Sequence, residues 1–79
     1  MPTQPYRTSD FLEICFLLAN DARLVKAERQ DNSDRVVFTF ADSATCDGII
    51  NALTMGQDQV SASRFFESIR KARKIIHNC

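Results

Sequence analysis

The most apolar stretch of the chain runs from Asp10 to Ala22, Asp-Phe-Leu-Glu-Ile-Cys-Phe-Leu-Leu-Ala-Asn-Asp-Ala. At about 100° per residue, Phe11, Leu12, Ile14, Cys15, Phe16, Leu17, Leu18 and Ala19 leave only a narrow strip at Glu13 and Asn20 polar. That is the pattern of a helix covered by protein on most of its circumference, so the remaining elements are expected to wrap it. At roughly three turns it is too short to cross a bilayer, which takes about 20 apolar residues.

Thr8, Ser9 and Asp10 precede the run, and each offers a side-chain oxygen to the unpaired first-turn N–H groups. Thr8 is the expected N-cap, which places the Asp10 charge at the positive helix end; Asp10 with Glu13 as a capping box is the alternative. Asn20 and Asp21 tolerate left-handed backbone and end the helix near residues 20–22.

Leu24 to Arg29 and Arg35 to Ala41, separated by Gln-Asp-Asn-Ser-Asp, read as a β-hairpin. In the second run Val36, Phe38 and Phe40 share the face expected to lie on the first helix. In the first, Leu24, Lys26 and Glu28 alternate with Val25, Ala27 and Arg29, the mixed pattern of an edge strand. Two strands alone are marginal in water, so the hairpin needs helices on one face or a strand from another chain.

Asp42 or Ser43 caps a second helix whose Cys46, Ile49, Ile50 and Leu53 form one apolar stripe, with Gly56 past its end. Gly48 weakens it by about 1 kcal/mol relative to Ala, unless a close backbone approach requires it. After the link Gln57 to Gln59, Val60, Ser61 and Phe65 fit a hydrophobic staple opening a third helix. On that helix Ile69, Ala72 and Ile76 line up with Phe65, flanked by Phe66 and Ile75, while Arg64, Glu67, Arg70, Lys71 and Lys74 occupy the opposite half. The predicted fold is a small single α+β domain over 1–79, in the order helix, strand, strand, helix, helix, with a hairpin packed on a central N-terminal helix and residues 1–6 flexible.

Several of these segments resemble a family of small prokaryotic and phage-borne domains of unknown function. The matching residues are Tyr6-Arg7-Thr8-Ser9-Asp10, Phe16-Leu17-Leu18-Ala19, Lys26-Ala27-Glu28-Arg29 and Phe65-Phe66-Glu67-Ser68-Ile69, spread over about Tyr6 to Ile76. The resemblance implies a fold and a source among accessory or mobile-element genes, and it brings no catalytic residues. One departure is Asp21, where such sequences tend to have Gly; a left-handed conformation there costs Asp more.

With 79 residues, 44% hydrophobic and 25% charged, the chain is an ordinary small globular domain. Met1 to Pro5 lacks the basic and apolar regions of a signal peptide, and the expected compartment is the cytoplasm. Cys15, Cys46 and Cys79 have neither a Cys-x-x-Cys spacing nor nearby histidines, so no metal site and no disulfide framework are expected, and Cys15 and Cys46 read as core positions. His77 is the lone histidine, no glycine-rich phosphate loop exists, and the Asp31, Asp34, Asp42 and Asp47 spacings do not form a calcium loop. No catalytic, cofactor-binding or metal-ligating residue is therefore assigned, and an enzyme is not expected.

Formal charge sums to zero but is segregated: residues 1–60 hold five of the ten basic and nine of the ten acidic residues. Arg64, Arg70, Lys71, Arg73 and Lys74 on the third helix are the candidate contacts for nucleic acid or an acidic partner. The plainer reading makes them a solvated face that complements the helix dipole, with Glu67 paired to Arg70 and Lys71. Tyr6 to Asp10 offers a second, smaller candidate for anion binding, although capping explains most of it. The resulting expectation is a non-enzymatic protein-interaction module that forms a homodimer and has no membrane segment, with nucleic-acid binding through the third helix as the alternative.

Overall fold

A computed structural model describes residues 4–31, 34–56 and 60–79. Its elements in chain order are β1 (Tyr6–Thr8), α1 (Phe11–Ala19), β2 (Leu24–Arg29), β3 (Val36–Phe40), α2 (Ser43–Thr54) and α3 (Ala62–His77). The α+β class and the helix, strand, strand, helix, helix order stand, with one addition ahead of them. A short N-terminal strand pairs antiparallel with β3, so the sheet has three strands in the order β1-β3-β2. The third strand that a bare hairpin needs is thus supplied by the chain itself. Of residues 1–6, expected to be flexible, Tyr6 belongs to β1 and residues 1–3 lie outside the described residues, as does the 57–59 link.

Helix α1 packs on both α2 and α3 and covers the sheet. Ile14, Cys15 and Leu17 are buried with Val36, Phe38, Phe40, Cys46 and Ala72 in one core. Phe38 and Phe40, two apart on β3, stack with ring centroids 6.3 Å apart. Burying each such ring is worth about 1.5–3 kcal/mol.

Covering of α1 is less complete than its composition implies. Leu12 is 57% exposed and Phe11 38%, both in the first turn of α1.

The caps differ from expectation at one place. Asp10, not Thr8, is the N-cap of α1, accepting from Leu12 N at 2.9 Å and Glu13 N at 3.2 Å. Thr8 instead bridges: its hydroxyl accepts from Asp10 N at 3.1 Å and donates to Glu13 Oε1 at 3.0 Å. β1 holds Thr8 in extended backbone, so it stands outside the first turn. Asp42 caps α2, its Oδ1 accepting from Thr45 N at 3.4 Å while its Oδ2 accepts from Thr45 Oγ1 at 2.8 Å, and Ser61 caps α3, accepting from Arg64 N at 3.3 Å. Gly56 has φ 69° just past α2, as a C-terminal glycine does. Gly48 is not a close-approach site, since a Cβ there would meet nothing within 4 Å.

Strict alternation fails in β2. Leu24 lies opposite Phe40 and Lys26 opposite Thr39, so Val25 is skipped in a β-bulge. The one-residue shift puts Leu24, Ala27 and Arg29 on the core side, opposite Phe40, Phe38 and Val36, and leaves Lys26 and Glu28 on the outer face. Without it, strict alternation from Leu24 would set Lys26 rather than Ala27 over the helices. Arg29 then reaches the end of α3, donating from Nε to Cys79 O at 3.3 Å and from Nη2 to Ile76 O at 3.5 Å. A cation at those carbonyls complements the helix dipole.

Candidate interaction surfaces

The third helix is fixed by its buried side. Ala72 is fully buried, Phe65, Ile69, Ile75 and Ile76 pack against the core, and Ser68 is 5% exposed, donating to Phe65 O at 2.7 Å. The opposite side is free to carry charge. Arg64, Arg70, Lys71, Arg73 and Lys74 are all exposed, as the amphipathic pattern requires.

These five do not behave alike. Arg64 Nη2 lies 2.6 Å from Asp21 Oδ2, tying the start of α3 to the turn after α1. Arg70, Lys71, Arg73 and Lys74 make no ion pair among the described residues. Glu67, expected to pair with Arg70 and Lys71, makes none either. Exposed pairs gain little Coulomb energy in water and lose side-chain entropy, so spacing alone does not create them.

Arg64, Arg70 and Lys71 line a depression of about 500 Å³ with Leu18, Ala19, Asp21, Glu67 and Ser68. Arg73 and Lys74 lie outside it. Two carboxylates among three cations make this hollow mixed in charge, which weakens it as a dedicated anion site.

A second depression, of about 300 Å³, is lined by Leu12, Phe16, Leu53, Val60, Ala62 and Phe65, from all three helices. Every lining side chain is apolar. The staple residues Val60 and Phe65 form part of its wall, and exposed Leu12 stands at its edge. Helical periodicity does not show this feature, because it counts Leu12 among the covered residues of α1. Its signal is position: Leu12 is the second residue of α1, in the first turn.

The Tyr6 to Asp10 segment is built into the fold. The Tyr6 hydroxyl donates to Glu13 Oε1 at 2.8 Å, and burial, then this bond and the carboxylate charge, push its pKa up to about 12. Cys15 and Cys46 are core residues as the helical periodicity implies, and burial raises both thiols. A raised thiol holds less of the reactive thiolate. Among the described residues no group of three or more His, Cys, Asp or Glu stands close enough to hold a metal ion. No helix among them is long and apolar enough to cross a membrane.

No family model, no curated protein and no solved structure matches the chain.

Proposed function

We propose that the protein is a small, non-enzymatic interaction module that associates with a second copy of itself, in the cytoplasm of a prokaryote or in the service of its mobile elements. The observation carrying this reading is the depression whose lining side chains are all apolar, edged by Leu12, a leucine 57% exposed on a chain of only 79 residues. Apolar surface of this kind on a small domain favours a protein partner. Strand-edge pairing is the less favourable route. β2 carries a bulge and an exposed Lys26–Glu28 pair at 3.1 Å, both of which discourage another strand from adding.

The test is light scattering after size-exclusion chromatography. Twice the 9.0 kDa chain mass is expected at micromolar concentration, falling to one chain mass in Leu12→Glu with unchanged circular dichroism. A single-chain mass for the unaltered protein across the concentration range rejects self-association.

A second reading has its own support. Arg70, Lys71, Arg73 and Lys74 are exposed together on α3 without an ion pair among the described residues, the arrangement phosphate contacts need. On this reading α3 binds nucleic acid, and the complex weakens steeply with salt.

A further inference from the structure

Phe66 is the anomaly of the third helix. It neighbours Phe65 in sequence, yet it is 63% exposed and stands on the side that carries the cations. At about 100° per residue, Phe66, Arg70, Arg73 and His77 fall within about 60° of arc, and Lys74 lies beside them. All five are exposed. From Phe66 to His77 the strip is about 16 Å long at roughly 1.5 Å per residue.

Resting on the nucleic-acid reading of α3, we propose that this strip binds single-stranded nucleic acid, with a base stacked on Phe66 and the backbone phosphates on Arg70, Arg73 and Lys74. Phosphates account for the cations and an unpaired base accounts for the ring. Base stacking on an exposed aromatic side chain is largely independent of sequence, because every base has a π-face. A duplex keeps its bases stacked on one another and leaves Phe66 without a partner. A lipid surface fits less well, because the apolar side of α3 is already packed into the core and Phe66 alone cannot anchor an interfacial helix. Residues 1–60 hold nine acidic and five basic residues, which keeps a polyanion to this one face.

The experiment uses the full chain with a fluorescent dodecamer of thymidylate, the matching duplex, and poly-glutamate as a competing polyanion, each at low and at physiological salt. Single-strand binding is expected to exceed duplex binding and to weaken with salt. Arg70→Ala with Arg73→Ala should remove most of it. Phe66→Leu should weaken it by about 5-fold or more at constant salt without changing the salt slope, and Phe66→Trp should retain it. These side chains are exposed, and circular dichroism of each variant checks that the fold persists. Full binding by Phe66→Leu, alongside loss in the arginine variant, overturns the stacking site while leaving nucleic-acid binding in place. Tighter binding of the duplex, or equal competition by poly-glutamate, overturns the single-strand assignment. No binding of either nucleic acid at low salt overturns the underlying reading itself.

Discussion

The hydroxyl of Tyr6 donates to Glu13 Oε1 at 2.8 Å, and this one contact joins the first strand to the helix around which the chain is built. Thr8 Oγ1 donates to the same oxygen at 3.0 Å, so β1 is held to α1 at two alternate residues of one strand face. Glu13, the polar interruption in an otherwise apolar run, is therefore the latch for the third strand.

Titration of Tyr6 should report that latch directly, since it is the only tyrosine. Its folded pKa, pushed up to about 12 from the ordinary phenol value of 10.0, means the neutral phenol is favoured in the native state. The associated stability is fully present below pH 10, and it is lost as pH rises through about 12. Phenolate absorbance should appear about two pH steps later in native protein than in urea. Unfolding midpoints between pH 9 and roughly 12 should fall less steeply in Tyr6→Phe; a native midpoint near 10 rejects the contact.

Gly48 lies inside α2, is exposed, and has open space where a Cβ would go. Gly48→Ala should stabilise the domain by about 1 kcal/mol in chemical denaturation, through lost backbone freedom in the unfolded chain. An unchanged or lower midpoint would mean the position is constrained by something other than helix propensity.

Asp21 holds φ at 61° and also pairs with Arg64, and the two effects oppose each other on replacement by glycine. Relief of the left-handed strain favours Asp21→Gly by about 1 kcal/mol, and the exposed ion pair is worth about 0.2–1 kcal/mol. The variant should be neutral to slightly more stable, while Arg64→Ala should lose less than about 1 kcal/mol. A loss above that in either variant would make the pair a structural strut.

Leu17 is fully buried on α1. Leu17→Ala should cost about 2–5 kcal/mol, enough to unfold much of a domain this small, as read by circular dichroism. Leu12→Ala, at a mostly exposed position, should cost well under half as much. Equal losses would place Leu12 in the core after all.

What the sequence determined by itself is whatever depends on neighbours within a turn or two. Ser61 as a cap, a cap for α2 at Asp42 or Ser43, Gly56 as a terminator, the Cys46 and Phe65 stripes and the Val36, Phe38, Phe40 face all follow from local spacing, and all are found, with Asp42 taking the α2 cap. What only the tertiary structure decided depends on residues far apart in the chain. Thr8 lost the cap to Asp10 because β1 pairs with the distant β3, Thr8 opposite Phe38, turning the Thr8 hydroxyl toward Glu13. The bulge at Val25 could not be read from β2, whose alternation looks regular until Phe40 and Phe38 set which side is covered. Arg64 chose Asp21 over its own helix because the α1 and α3 packing brings them together across 43 positions. Leu12 and Phe66 stayed exposed for the converse reason. Apolar character favours burial, but only a neighbouring element long enough to reach a side chain can provide it.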